Sequence, residues 1–186
     1  HLDGGQRIGD YGFFVVAAPE WLVGEPAERD DGGDGQVDGG GGILFDPGEG
    51  TQRQMTLAGL SASQITHVAI THFHGDHCLG LAGIIQRLSL DGVTRPVEVI
   101  YPASGQVYFE RLRHASVFYA RTNLVPRPVE GRGDVLVTRA GAVRLLAAPL
   151  DHGIDCYGYR VQEDDARRMR PDLLEAAGVR GPAVGE

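Results

Sequence analysis

Three histidines and one aspartate fall within the six residues His72-Phe73-His74-Gly75-Asp76-His77. Neutral imidazoles and carboxylates are the ligand set of zinc and related divalent ions. Extended residues alternate in direction, so His72 and His74 can face one way together. A tight turn at Gly75 can then present Asp76 and His77 to a second ion. Two ions held in this way activate water for hydrolysis. The competing account is a surface loop that happens to be rich in histidine. It is disfavoured because the chain has only seven histidines and three of them lie here, between two apolar elements.

Those elements must position the cluster. The upstream stretch Ile65–Ile70 reads as a buried strand. Downstream, Leu79–Leu88 reads as a helix with Leu81, Ile84, Ile85 and Leu88 on one face. The cluster therefore occupies a strand-to-helix turn. Further strands are expected over Tyr11–Ala17, Ile43–Phe45, Val97–Tyr101 and Tyr157–Val161. A helix is expected over Thr51–Leu60, and another runs to Ala115 with Ser104 as its N-cap. Val135–Ala148 reads as a hairpin turning near Ala140-Gly141. Pro26–Gly42 is rich in Gly and Asp and cannot bury a core, so it reads as a loop. The class is α/β (α+β).

Two further segments accompany the cluster. One is Ile43-Leu44-Phe45-Asp46-Pro47-Gly48-Glu49-Gly50-Thr51-Gln52-Arg53-Gln54-Met55, and the other is Ala148-Pro149-Leu150-Asp151-His152-Gly153-Ile154-Asp155-Cys156-Tyr157-Gly158-Tyr159-Arg160. With these three segments the chain resembles the metallo-β-lactamase superfamily, and within it the ribonuclease Z family of tRNA 3′ endonucleases. The resemblance implies an αβ/βα sandwich, of which the chain supplies the N-terminal part only. It implies that His72, His74 and His152 bind one Zn2+, that Asp76 and His77 bind a second, and that Asp76 also accepts a proton. Two further ligands, an aspartate and a histidine, are implied downstream of His152. The sequence reaches Glu186 without them, so the expectation is a piece with five ligands and fewer ions than the complete enzyme. Such a piece is expected to expose the apolar faces of Ile65–Ile70 and Leu145–Ala148.

The implied activity is removal of the 3′ trailer from precursor tRNA by a homodimer in the cytoplasm. The alternatives are another phosphodiesterase or sulfatase-like hydrolase of the same fold, and an inactive fragment. The expected division is a divergent segment 1–42, the catalytic domain 43–165, and the start of a tRNA-binding arm over 166–186.

Several residues keep two readings. Asp46 either orients a ligand histidine or is a turn aspartate before Pro47-Gly48. Glu49, Gly50 and Thr51 either meet a phosphate with their backbone or simply open a helix. Arg53 is an RNA contact or a solvated helix residue. Cys78 and Cys156 are thiolate ligands or small packing residues; packing is favoured, since the histidines suffice. His67 and His114 read as structural.

Composition bounds these readings. The 186 residues, 42% apolar and 23% charged, suit one domain with a sizeable core. Nothing reads as a membrane-spanning helix or a signal peptide. Two cysteines make no disulfide framework. The net charge of −8 is unusual for an RNA enzyme. Much of the acid lies between Glu25 and Asp38, however, and bound cations add local positive charge. All 17 basic residues are arginine, which suits bidentate phosphate contact.

Overall fold

The computed structural model describes residues 6–8, 13–16, 42–131, 135–140 and 143–163. The expected loop over Pro26–Gly42 and the expected arm over 166–186 fall almost wholly outside these residues, as does the hairpin turn at 141–142.

The chain alternates strands and helices: β1 (Gln6–Ile8), β2 (Phe13–Val16), β3 (Gly42–Phe45), α1 (Thr51–Leu57), β4 (Ile65–Ala69), α2 (Gly75–Cys78), α3 (Leu81–Leu90), β5 (Pro96–Pro102), α4 (Gln106–Arg113) and β6 (Asn123–Val129). Three strands then follow in sequence: β7 (Val135–Ala140), β8 (Val143–Leu150) and β9 (Cys156–Glu163). The first six strands form one sheet in the order β1-β2-β3-β4-β5-β6, parallel from β2 onward. The last three form an antiparallel sheet, β7-β8-β9.

A parallel sheet is covered on both faces, so its central strands are largely apolar. Val68, Ile70, Val97, Val99 and Tyr101 pack against Met55, Leu81, Ile84, Ile85, Leu88 and Phe109 of the helices. On the opposite face, Ala69, Ile100 and Val129 pack against Leu145, Ala147 and Tyr157 of the second sheet. The described residues thus build three layers of the expected sandwich: helices, sheet, sheet.

Three expectations change. Ile65, Val68, Ala69, Ile70, Leu145 and Ala147 are each no more than 1% exposed, so most of the apolar surface expected to lie open is covered, while Leu146 and Ala148 on the alternate face of β8 stay half-buried. The helices cover Ile65, Val68 and Ile70, while Ala69 meets Leu145 and Ala147 where the two sheets close face to face. Ser104 does not cap α4. A 3-10 turn over Ala103–Gly105 leads into that helix, and Gly105 precedes its first residue. A Cβ at Gly105 would lie 2.0 Å from the Phe73 ring, so glycine is required there. Finally, β6 falls where no element was expected, and it carries Pro126 and Pro128. It is an edge strand, where proline's missing N–H costs least.

Candidate metal centre

β4 ends at Ala69, and Ile70 still donates its N–H to the Ile100 carbonyl of β5 (2.8 Å). Beyond that the chain leaves the sheet with its side chains still alternating. Phe73 points into the helical layer, ring to ring with Tyr101 (6.0 Å) and Tyr108 (5.7 Å). His72 and His74 point the other way, with centroids 4.7 Å apart. Gly75 then opens α2, a single turn in which His77 returns beneath His72, with centroids 4.1 Å apart.

The loop after β3 clamps this turn. Gly48 lies so close to α2 that a Cβ would fall 1.9 Å from the Asp76 carbonyl oxygen. A Cβ on Gly80 would meet the Gly48 carbonyl oxygen at the same distance, and Gly80 N–H bonds the Pro47 carbonyl (2.8 Å). Asp46, at the head of the loop, is 8% exposed and has a left-handed backbone, φ 44°. That conformation costs a non-glycine residue roughly 1–3 kcal/mol. It is offset by what the carboxylate reaches. Oδ1 accepts the Thr71 N–H (2.7 Å), and Oδ2 accepts from the Thr71 hydroxyl (2.8 Å) and His77 Nδ1 (2.9 Å).

His152 arrives from the second sheet, on the exposed turn between β8 and β9. Its ring lies 4.5 Å from that of His72 and 5.4 Å from that of His74. One ligand nitrogen from each of His72, His74 and His152 lies within 4.8 Å of the others. A tetrahedral zinc with bonds of about 2.0–2.1 Å needs nitrogens roughly 3.3 Å apart, so the three are one small adjustment from a ligand set. His72 is held below its ordinary pKa by burial, reinforced by His77, His152 and His74, with Asp46 opposing. The neutral form is the one that ligates. The donor set therefore fits a zinc-like ion. Asp76 and His77 form a second pair, Oδ2 to Nε2 3.4 Å, with the Asp76 side chain 68% exposed. No third histidine, cysteine or acid joins this pair at ligand distance among the described residues.

A family model of the metallo-β-lactamase superfamily matches residues 36–167. This chain belongs to that superfamily. Its curated relatives include a ribonuclease Z from Thermobifida fusca, 56% identical over 146 residues, which are 78% of this chain and 46% of that protein. A ribonuclease Z from Nocardia farcinica is 53% identical over 78% of this chain and 47% of its own. The chain thus spans about half the length of the curated relatives it matches. Among solved structures, the short form of human tRNase Z superposes with a TM-score of 0.57 at 29% identity, covering 65% of this chain and 54% of that one. The metallo-β-lactamase fold protein YhfI from Bacillus subtilis matches in fold, with a TM-score of 0.50 at 16% identity over 64% of this chain and 45% of that one.

Seen as a metallo-β-lactamase domain, the described residues gather His72, His74, His152, His77 and Asp46 in one place and leave others outside. Thr51 is buried, and both its N–H (3.3 Å) and its hydroxyl (2.9 Å) are turned to the Gly48 carbonyl. Glu49 and Gly50 are exposed, and Gly50 (φ 81°) starts α1 without a side-chain cap. Arg53 is exposed on α1. His67 is buried on β4 facing Glu98 (3.9 Å), and His114 is exposed near Glu110 (3.5 Å). Burial raises the Cys156 thiol, and raises that of Cys78 to about 11 with help from Asp46 and Asp76. Both are free, buried thiols, and Cys78 belongs to the helix-side core.

Thr71, Tyr157 and Tyr159 were not singled out by the sequence. Tyr157 N–H bonds the Thr71 carbonyl (3.0 Å), and the Tyr159 hydroxyl donates to the Ile70 carbonyl (2.9 Å). Together they fasten the sheet carrying His152 to the strand carrying the cluster. No local signal marks them, since their partners lie far away in the chain.

Proposed function

We propose that this protein is a zinc-dependent endoribonuclease of the ribonuclease Z type, which removes the 3′ trailer of precursor tRNA. The 56% identity to a protein named ribonuclease Z carries this reading. A match of 146 residues in a 186-residue chain takes in residues 41–146 wherever it begins, and so includes Asp46 and His72–His77.

His72, His74 and His152 hold one Zn2+, while Asp76 and His77 supply ligands to the second. A bound pair of such ions lowers the pKa of water and offsets charge on phosphoryl oxygens. The protein's own part is positioning. Asp46 fixes His77 and the start of the ligand turn, and burial lowers the His72 pKa, which favours its neutral form. Asp76 presents an exposed carboxylate that can take the proton lost by a water attacking phosphorus in line. Glu49 and Gly50 remain candidates for a phosphate contact through their exposed backbone.

The reading brings with it a homodimer working in the cytoplasm, and no helix of the described residues is long and apolar enough to cross a membrane. It also brings the division 1–42, 43–165 and 166–186, whose central part is close to the family match at 36–167.

The test is cleavage of precursor tRNA by the zinc-loaded protein. The expected product ends in a 3′ hydroxyl just after the discriminator base. Protein carrying both ions that leaves the trailer intact would remove the reading.

A further inference from the structure

Thr71 has no role in the metal-ligand pattern, yet its hydroxyl stands between two of the groups that matter. Its oxygen is 2.8 Å from Asp46 Oδ2 and 2.9 Å from His72 Nδ1. Asp46, as a carboxylate, has no proton to give, so every neighbour must donate to it. The Thr71 hydroxyl has one proton, and it goes to Asp46. The Thr71 oxygen can then only accept, so His72 must carry its proton on Nδ1. His77 Nδ1, 2.9 Å from the same Oδ2, must also be protonated.

We infer that Asp46 sets the tautomer of two ligand histidines at once, His77 directly and His72 through the hydroxyl of Thr71. Both rings are thereby left with their Nε2 lone pairs turned to where an ion would sit. His72 Nε2 faces His74 Nδ1 at 2.9 Å, and His77 Nε2 faces Asp76 Oδ2 at 3.4 Å. Thr71 and Asp46 are positioning residues, and their reach differs. Thr71 serves the ion held with His74 and His152, whereas Asp46 serves both. The two sites share one buried anchor and can be weakened together or singly. The tautomer assignment stands on the hydrogen bonds alone; its consequence for metal rests on the function proposed above.

The test uses the full chain labelled with 15N-histidine. In the metal-free protein, long-range 15N–1H spectra should show Nδ1–H tautomers for both His72 and His77; an Nε2–H tautomer at either overturns the inference. Zinc affinity is then read by chelator competition. Thr71→Val keeps the backbone N–H to Asp46 and removes only the relay. It should cost about 10–100-fold at one ion and leave the other unchanged, the usual effect of losing an outer hydrogen bond to a ligand. Thr71→Ser should restore the affinity, and Asp46→Asn should weaken both ions. Wild-type affinity in Thr71→Val, no recovery in Thr71→Ser, or a one-ion effect in Asp46→Asn would each sink it. If the parent chain binds no zinc, the metal reading falls, and the tautomer spectra still decide the relay. Thr71→Ser is the safeguard should Thr71→Val fold poorly, since its His72 spectrum must match the parent's.

Discussion

His67 and His72 lie five positions apart along the same strand and its extension. Both are buried, at 8% and 4% exposure, and burial is the leading cause holding each below its ordinary pKa. Their surroundings differ. His67 meets Glu98 across the β4–β5 pair, with Arg95 and Arg127 near enough to be felt. Its opposite charges are supplied by the chain, although its Nδ1 meets the Thr66 hydroxyl (2.8 Å) just as that of His72 meets the Thr71 hydroxyl (2.9 Å). His72 is ringed by His74, His77 and His152, three further imidazoles. A site of that kind is completed by a cation from outside. Residue type, burial and pKa direction do not separate a ligand histidine from a structural one; the convergence of uncompensated donors does.

The strongest break in this contrast is His74→Ala. The ligand set falls to two imidazoles, and the ion at that site should be lost together with any cleavage of precursor tRNA. Metal analysis checks it, and two ions per chain with normal cleavage would contradict the assignment. Asp76→Ala should come next. Losing a general base typically costs about 10²–10⁴ in rate, and the defect should lie in kcat more than in KM. Steady-state kinetics separates the two; a defect confined to KM would place the chemistry elsewhere.

Gly48→Ala acts on the clamp rather than on a ligand. The added Cβ would sit 1.9 Å from the Asp76 backbone oxygen, and no rotamer change can relieve a clash with backbone. Overpacking of this kind costs about 1–3 kcal/mol. A chain of this size should lose about 2–4 °C in Tm for each kcal/mol, and zinc affinity should fall with it. An unchanged melt and affinity would show that the loop does not brace the turn.

His67→Gln should have the smallest effect and leave metal content unchanged. The folded-state pKa of His67 lies below the ordinary 6.5, so the unfolded chain binds its proton first. Its contribution to stability is complete above about pH 6.5 and is lost as pH falls through the folded value. The substitution should flatten that part of the Tm–pH curve below about pH 6.5. A change in zinc content would erase the contrast between the two histidines.

The sequence marked what is local. An apolar run followed by a helical repeat located β4 and α3, and the ligand cluster lay between them. The spacing of His72, His74, Asp76 and His77 was legible because side-chain direction in a strand and a turn follows from position alone. His152 was recognisable only through the motif around it, because nothing in the 74 residues between His77 and His152 says that a turn of the second sheet will come back to His72. β6 was hidden by its prolines, whose cost depends on being at an edge, and edges exist only once strands are ordered.

Composition, the class of the fold and the ligand types were therefore set by the sequence itself. The tertiary structure decided which histidine joins which. It brought Asp46 across 25 residues to Thr71 and 31 to His77. It covered the apolar strands with helices on one face and the second sheet on the other, and it set Glu98 directly beside His67, whereas Asp46 reaches His72 only through Thr71. The physical reason is range. Propensity and periodicity act over a few residues, whereas a hydrogen bond between distant residues depends on strand register and on glycines small enough to let two backbones touch.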